Sequence, residues 1–331
     1  MKDLIVLKKE GMYCPLGKFF LDPILPVDKA VISHGHADHA RNGNRNILCS
    51  AKSMTIIKQR TDASNLQSLE FGRELTINDI KLTFFPASHV LGASQIRLRS
   101  KDSTWVYTGD FRLVKDSSCD EFEPVKSDVL VMESTFGLPI FQWKREEFLF
   151  KELTDIWQSA SSGKKNLILY CYSLGKAQRV LCGIKKYLGS GSYPTQIYVH
   201  KNCYDICRIY KSFGISLPEV KKLEDYDIYE KNQPSLIILP PALKRTQQAK
   251  KYRPSVRVFV SGWMAIRGNR RRETGCKGLA LSDHADWSEL NELVNITKPQ
   301  TVIAVHGKTS ILTRYLNEKG VNTDRLKRTS L

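Results

Sequence analysis

The chain has 331 residues, of which 41% are hydrophobic and 26% are charged, a composition typical of a globular protein with a sizeable buried core. Lysine and arginine outnumber aspartate and glutamate by 51 to 34, and the resulting net charge of +17 favours a polyanionic partner such as a nucleic acid. No apolar run approaches the roughly 20 residues that span a bilayer, and the start lacks a secretory signal, so we expect a cytoplasmic protein without membrane contact.

From the start of the chain to about residue 135, short apolar strands alternate with tight turns, and four strands end in polar side chains. The strand at 30–32 runs into His34, and the strand at 82–85 runs towards His89. The strands at 105–107 and 129–132 run into Asp110 and Glu133. Residues at strand ends are held by a rigid sheet and stay open to solvent, so we expect the functional site there.

Between about 140 and 276 the pattern changes to alternating strands and helices, with strands at 167–170, 196–199 and 236–239 and helices at 175–188 and 202–213. This alternation predicts an inserted α/β domain with a parallel sheet. After residue 278 apolar strands again run into histidines, His284 and His306. We therefore predict a first domain at 1–136, an insertion at 137–276 and a return to the first domain at 277–331.

The eight cysteines are scattered and form no Cys-x-x-Cys pair, so the sequence predicts neither a disulfide framework nor a zinc ribbon. At their spacing, His200, Cys203 and Cys207 could share one helical face and bind a metal. We favour a role in core packing, because small apolar residues at this spacing usually face a core.

The segment Ser33-His34-Gly35-His36-Ala37-Asp38-His39 concentrates metal-ligating side chains in a short turn after a strand. Neutral imidazoles and carboxylate oxygens are ligands that zinc and manganese accept, and alternate positions of the turn can serve two neighbouring ions. With His89 and Asp110 at later strand ends, the sequence predicts a hydrolase with two divalent metal ions.

This His-x-His-x-Asp-His motif, with His89 and Asp110, resembles the metallo-β-lactamase fold, an α/β four-layer αββα sandwich. Glu133, His284 and His306 resemble motifs A, B and C of the β-CASP nucleases, which insert a second α/β domain between motifs A and B. Segments 135–140, 174–179, 261–268 and 281–287 are similar to the bacterial ligase-associated DNA exonucleases, also described as mRNA 3′-end processing exonucleases. The resemblance covers nearly the whole chain.

The resemblance implies a role for each of these side chains. His34, His36 and His89 would hold one ion, Asp38, His39 and His306 the other, and Asp110 would bridge them. Asp22 matches the family's first motif and would support the metal loop through hydrogen bonds. His284 fits the role of general acid, oriented by Glu133. With the metal ligand Asp38, these two residues form the predicted catalytic set.

Two basic segments are candidates for contact with a nucleic-acid backbone. Lys176 and Arg179 lie at a predicted helix start, where side chains and backbone N–H groups can meet a phosphate. Arg267, Arg270, Arg271 and Arg272 form a run just before the chain returns to the first domain. We predict that this run follows the backbone of the substrate.

The favoured function is a two-metal-dependent exonuclease that hydrolyses DNA in repair, for which the resemblance implies a DNA ligase and a helicase as partners. A ribonuclease in RNA 3′-end processing or decay is the alternative, because His306 at motif C resembles the RNA-processing branch and the Artemis-like DNA branch usually carries valine there. A small-molecule metallo-hydrolase shares the His-x-His-x-Asp-His motif, but the insertion, His284 and the net charge argue against it. An inactive scaffold would have lost ligands, and here all are present.

Overall fold

The computed structural model describes residues 3–189, 193–226 and 233–329. The chain divides into unit 1, which comprises Met1–Phe141 and His284–Leu331, and unit 2, which comprises Gln142–Asp283. Unit 2 is thus inserted into unit 1, and both boundaries lie a few residues later than predicted.

Unit 1 contains two sheets and, within the described ranges, three helices. The strands of the first sheet are adjacent in chain order: β1 (Val6–Lys8), β2 (Gly11–Cys14), β3 (Phe19–Leu21), β4 (Lys29–Val31), β5 (Asn46–Ser50) and β6 (Asn65–Leu69). The second sheet comprises β7 (Glu74–Ile77), β8 (Ile80–Pro86), β9 (Ser94–Arg99), β10 (Thr104–Tyr107), β11 (Val129–Glu133), β18 (Thr301–Val305) and β19 (Thr323–Asp324), in the spatial order β19-β18-β11-β10-β9-β8-β7. The helices are α1 (Ala51–Arg60), α7 (Trp287–Thr297) and α8 (Thr309–Glu318).

Strand β11 shows why the two sheets stack. Its side chains alternate, so that Val129 and Val131 face a core shared by both sheets, whereas Leu130 and Met132 face α7 and α8. On the outer face of the first sheet, a third apolar cluster packs against Ile57 of α1. The layers are therefore α1, the first sheet, the second sheet, and α7 with α8, which confirms the predicted four-layer αββα sandwich.

Unit 2 is an α/β unit built on a parallel sheet, as predicted for the insertion. Its described strands are β12 (Asn166–Tyr170), β13 (Ile197–Val199), β14 (Lys221–Lys222), β15 (Leu236–Leu239), β16 (Ser255–Val260) and β17 (Lys277–Leu279), in the spatial order β14-β13-β15-β12-β16-β17. Its described helices are α2 (Glu146–Ser162), α3 (Lys176–Leu188), α4 (Lys201–Ser212), α5 (Gln247–Lys250) and α6 (Arg267–Arg272).

Two pairings explain why the unit boundaries differ from the predicted ones. Strand β17 pairs in parallel with β16, so the chain leaves unit 2 after Asp283 and not at 277. At the other boundary, the carbonyl of Phe141 accepts a 3.1 Å hydrogen bond from the backbone N–H of Trp287, which keeps residues 137–141 in unit 1. Neither pairing is visible in the local apolar pattern.

The candidate histidine–cysteine face of α4 is part of the unit 2 core. Cys203 and Cys207 are buried, and the side-chain amide of Gln178 donates to both sulfurs, at 3.7 and 3.4 Å. His200 caps the start of α4 through its Nδ1. These contacts agree with a packing role. None of the helices in the described part of the chain combines the length and apolar character that a membrane crossing requires.

Truncation of a fully buried side chain tests the packing of the second sheet against α7 and α8. We expect Leu130→Ala to lower the free energy of unfolding by about 2–5 kcal/mol, because the surrounding elements cannot fill the cavity that it leaves. Urea titration followed by circular dichroism measures this change. Ile296→Ala, at a side chain of α7 that is 44% exposed, is the control and should stay within about 0.5 kcal/mol of the native chain. Equal destabilisation by both would contradict the assigned layer.

Candidate metal centre

Three imidazoles and a carboxylate converge where β4, β8 and β10 end. His34 Nε2 lies 3.1 Å from His36 Nδ1, which in turn lies 3.0 Å from His89 Nε2. Asp110 Oδ2 lies 3.5 Å from His34 Nε2 and 3.7 Å from His89 Nε2. The four candidate ligand atoms all lie within 4.8 Å of one another.

The spacing and chemistry of these atoms fit a divalent cation. Nitrogen ligands about 2.0–2.1 Å from a tetrahedral zinc ion are about 3.3 Å apart, close to the spacing of the imidazole nitrogens here. Burial lowers the pKa of His34 well below its ordinary value, so its imidazole is neutral, as a metal ligand must be. The residues present therefore fit the metal that the sequence predicts.

Asp110 is at the centre of the cluster. Its Oδ2 also lies 3.4 Å from His39 Nε2 and 3.9 Å from His284 Nδ1. Burial alone would raise the pKa of Asp110, but the neighbouring His39 and His284 outweigh burial and lower it well below its usual range. The carboxylate is therefore ionised and faces rings from several different loops.

Asp22 holds the histidine loop through hydrogen bonds. Its carboxylate accepts hydrogen bonds from the backbone N–H of Ser33 at 2.7 Å, the Ser33 hydroxyl at 2.5 Å, His39 Nδ1 at 2.8 Å and the Tyr107 hydroxyl at 2.9 Å. Ser33 Oγ also lies 3.0 Å from His34 Nδ1, which leaves Nε2 of that ring for the cluster. Asp22 therefore orients the His34 ring through Ser33 and the His39 ring directly.

The sequence interpretation assigned no role to Ser33 or Tyr107. Tyr107 alternates with Val106 on β10, so its ring enters the core between the sheets and its hydroxyl reaches Asp22. A tyrosine at an inward strand position is a usable signal, because a buried hydroxyl needs a polar partner.

The side chains proposed for a second ion are drawn together less tightly. His39 is buried, and although burial lowers its pKa, Asp110 and Asp22 raise it well above its ordinary value. Asp38 Oδ2 lies 3.9 Å from His39 Nε2, with the Asp38 side chain 71% exposed, and the His306 ring centroid lies 5.8 Å from that of His39. The three side chains are neighbours, and their binding of a second ion stays a prediction.

The loop that carries His306 is held against the end of β11. The Ser134 hydroxyl donates to the backbone carbonyl of His306, which has a positive φ of 59°. A Cβ at Gly307 would lie 2.2 Å from the Ser134 carbonyl oxygen, so only glycine fits beside that strand end. This contact fixes the position of His306, which follows β18, relative to Glu133 at the end of β11.

His284 faces the cluster and is held by a buried carboxylate. Its Nδ1 lies 2.9 and 3.2 Å from the two carboxylate oxygens of Glu133, which also accepts from the backbone N–H of Phe111 at 3.0 Å. The ring centroids of His284 and His89 are 4.6 Å apart, and the His284 side chain keeps 19% of its surface exposed. Glu133 therefore orients the His284 ring through Nδ1.

The predicted nucleic-acid contacts fall into two groups in unit 2. Lys176 and Arg179 are buried: Lys176 forms an ion pair with Asp283, and Arg179 with Glu146 at 2.7 Å. Arg179 also donates to the carbonyl of Ser282. This arrangement does not support the prediction that the two charges meet a phosphate; they hold the residues that precede His284. The sequence shows the two cations but not the carboxylates of Asp283 and Glu146 with which they pair. By contrast, α6 leaves its arginines exposed: Arg267, Arg270, Arg271 and Arg272.

Comparison with known families and proteins agrees with this architecture. Residues 17–141 match the "Beta-lactamase superfamily domain", and residues 276–325 match the "Zn-dependent metallo-hydrolase RNA specificity domain". A crystal structure of a protein of unknown function from Enterococcus faecalis has a similar fold, with a TM-score of 0.60 and 14% identity over 91% of this chain and 79% of that one.

Relatives with names in both DNA and RNA metabolism span most of the chain. A "Probable DNA ligase" of Opitutus terrae is 27% identical over 94% of this chain and 30% of its own length. An "RNase J-like protein" of Methanocaldococcus jannaschii is 24% identical over 85% of this chain and 82% of its own length. The "Cleavage and polyadenylation specificity factor 73" of Drosophila melanogaster is 22% identical over 75% of this chain and 43% of its own length.

The chain therefore spans about a third of the ligase relative and under half of the cleavage factor. The domain matches cover the histidine loop at one end and the His284 and His306 loops at the other. Since these matches flank the insertion and the ligand residues converge in unit 1, the chain belongs to the metallo-β-lactamase fold, in its β-CASP nuclease family.

Proposed function

We propose that the protein is a metal-dependent nuclease that hydrolyses phosphodiester bonds of DNA, as an exonuclease acting in repair in the cytoplasm. The observation that carries this proposal is the Glu133–His284 pair beside the histidine cluster. The buried carboxylate of Glu133 orients the partly exposed His284 towards the proposed metal ligands. His284 would thus be a proton donor where a phosphodiester would be bound.

The proposed cofactors are two divalent ions, zinc or manganese. His34, His36, His89 and Asp110 would hold the first, and Asp38, His39 and His306 the second, with Asp110 shared. Ions bound there supply a nucleophile at neutral pH and offset the negative charge of the phosphoryl group. Asp22 and Ser33 keep the ligand rings oriented before substrate arrives.

His284 would act on the departing oxygen of the substrate. Glu133 accepts the Nδ1 hydrogen bond and stabilises the charged imidazolium, which leaves a proton on Nε2. When the P–O bond breaks, that proton passes to the departing sugar oxygen, so that no free alkoxide is released. His284 and Glu133 thus serve as acid and orienting base, with no ligand role.

The substrate is proposed from charge and relatives. A net charge of +17 and the exposed arginines of α6 suit a nucleic-acid backbone. The relative named as a probable DNA ligase aligns with 94% of the chain, which supports DNA as the substrate and a DNA ligase as a partner. A helicase partner follows only from the resemblance to ligase-associated exonucleases.

A ribonuclease in RNA processing is the second candidate. His306 is the motif C residue that resembles the RNA-processing branch, and the match over residues 276–325 carries the description of an RNA specificity domain. The relatives named as an RNase J-like protein and a cleavage factor point the same way. An experiment must therefore distinguish DNA from RNA as the substrate.

Removal of the proposed acid tests the mechanism. We expect His284→Ala to lower kcat by about 10²–10⁴-fold, because the departing oxygen loses its proton donor. Metal content per chain should stay unchanged, since the proposed mechanism gives His284 no ligand role. The assay is degradation of an end-labelled oligonucleotide, with metal measured by elemental analysis. His200→Ala, which changes a histidine that caps α4, is the matched control and should keep full activity. Cleavage at the native rate by His284→Ala would remove this residue from the mechanism.

The arginines of α6 are tested by the salt dependence of binding. Replacement of Arg270, Arg271 and Arg272 by glutamine should weaken single-stranded DNA binding and flatten the slope of log K against log salt by roughly 2 if each meets a phosphate. Fluorescence anisotropy across a salt series measures the slope. A control variant with Arg208, Lys211 and Lys221 replaced carries the same charge change elsewhere in unit 2. If both variants flatten the slope equally, net charge and not α6 is responsible.

Substrate choice is tested with matched, end-labelled single-stranded DNA and RNA oligonucleotides in the presence of manganese or zinc. We expect DNA to be shortened progressively from one end, with loss of this activity in His284→Ala and Asp38→Ala. Preferential cleavage of RNA, abolished by the same substitutions, would reassign the protein to RNA processing and make His306 the better guide.

A further inference from the structure

A basic cavity lies on one face of the unit 2 sheet, among residues to which the proposed function assigns no role. It has a volume of about 250 Å³ and is lined by Tyr170, Lys244, Arg245, Lys250, Arg253 and Arg257, with Ala249 beside them. We call it the Tyr170 cavity. Five of these side chains are cations, and none is an acid.

The position of Arg257 is unusual for a strand residue. It pairs in register with Ile168 on β12, two residues before Tyr170, so Arg257 and Tyr170 share a face of the sheet. That face otherwise carries an apolar cluster that includes Ile168, Tyr170 and Ala249. A cation half-buried beside apolar side chains is costly unless an anion neutralises it.

Within the described residues, most of these cations form no ion pair with a carboxylate. Lys244 forms an ion pair with Glu273. For Arg245, Lys250, Arg253 and Arg257, no ion pair is found among residues 3–189, 193–226 and 233–329. The cavity therefore concentrates positive charge that the described part of the chain leaves uncompensated.

Tyr170 adds an independent observation. Its side chain is fully buried, and within the described residues its hydroxyl forms no hydrogen bond of good geometry, although the guanidinium group of Arg257 lies beside it. Burial raises the pKa of Tyr170, and Arg257 and Arg253 only partly oppose this, so the hydroxyl keeps its proton. A buried hydroxyl without a partner is rare in folded proteins, and a donor beside guanidinium groups suits an anionic acceptor.

We propose that the Tyr170 cavity is a phosphate-binding site, in which the guanidinium groups of Arg257 and Arg253 and the hydroxyl of Tyr170 donate to the phosphate oxygens. Tetrahedral phosphate matches these donors because guanidinium groups bind it in a bidentate manner and a hydroxyl can fill a further lone pair. The phosphate is either a free anion or a group on a nucleic-acid strand; the strand case alone rests on the proposed function.

The first measurement is calorimetric titration of the 331-residue chain with inorganic phosphate in chloride buffer. Arg257→Gln should weaken phosphate binding by about tenfold or more, because a hydrogen-bonded charge pair is lost. Tyr170→Phe, which changes only the hydroxyl, should weaken binding by several-fold, or about 3–10-fold. Arg208→Gln removes the same charge from an exposed position on α4 and should leave the affinity unchanged.

A second titration separates the two sources of phosphate. It uses single-stranded DNA bearing a 5′-phosphate and the same strand without it, both bound to His284→Ala protein so that no cleavage occurs. If inorganic phosphate binds and the strands are insensitive to Tyr170→Phe, the ligand is the free anion. If only a strand responds to Tyr170→Phe and Arg257→Gln, the ligand is a strand phosphate.

The proposal is overturned if neither inorganic phosphate nor a strand responds to Arg257→Gln and Tyr170→Phe, or if Arg208→Gln has an equal effect. Circular dichroism of each variant shows whether the fold is intact, and Tyr170→Phe tests the site even where Arg257→Gln perturbs packing. Because every readout is binding and not cleavage, failure here leaves the proposed nuclease activity standing, and failure of the nuclease assays leaves the inorganic phosphate result standing.

Discussion

The buried carboxylate of Asp22 is bound by donors from two other segments of unit 1: Ser33 and His39 in the histidine loop, and Tyr107 at the end of β10. A buried carboxyl group is tolerated only when its oxygens are hydrogen-bonded, and here each oxygen accepts from at least one donor. The same bonds that offset burial also set the angle of the loop. The hydrogen bonds of Asp22 therefore connect strand β10 to the histidine loop and orient the histidine rings at the same time.

The cluster shows how several imidazoles are kept side by side. Charged imidazoles would repel one another, so the arrangement needs neutral rings or nearby carboxylates. Burial keeps His34 neutral, and Asp22 and Asp110 flank the ring of His39. Glu133 performs the same task for His284. In His34, His39 and His284 the Nδ1 atom contacts Ser33, Asp22 and Glu133 respectively, so these three rings are oriented by the protein itself.

The parts of this arrangement that depend on local chemistry were predictable from residues alone. His34, His89 and Asp110 stand directly after apolar strands, and strand ends that meet at one edge of a sandwich must lie close together. What depends on distant partners was not. Lys176 looks solvent-facing in the chain, yet it pairs with Asp283, more than 100 positions away. Likewise, β17 reads as the start of the returning domain but completes the sheet of unit 2, because strand pairing is decided by neighbours in space.

The insertion of unit 2 also determines the order in which the protein can be completed during synthesis. Unit 2 is continuous in sequence and lies entirely before His284, so all of its strands leave the ribosome before β18 does. Yet β18 is an interior strand of the second sheet of unit 1, between β11 and β19. During synthesis, the edge of β11 that pairs with β18 stays unpaired until about half of the chain has been made after β11. An unpaired strand edge is prone to unwanted pairing. Since His284 and His306 are synthesised after the histidine loop, a partly made chain has that loop but not the residues proposed to complete the site, so the proposed reaction would have to wait until the fold closes.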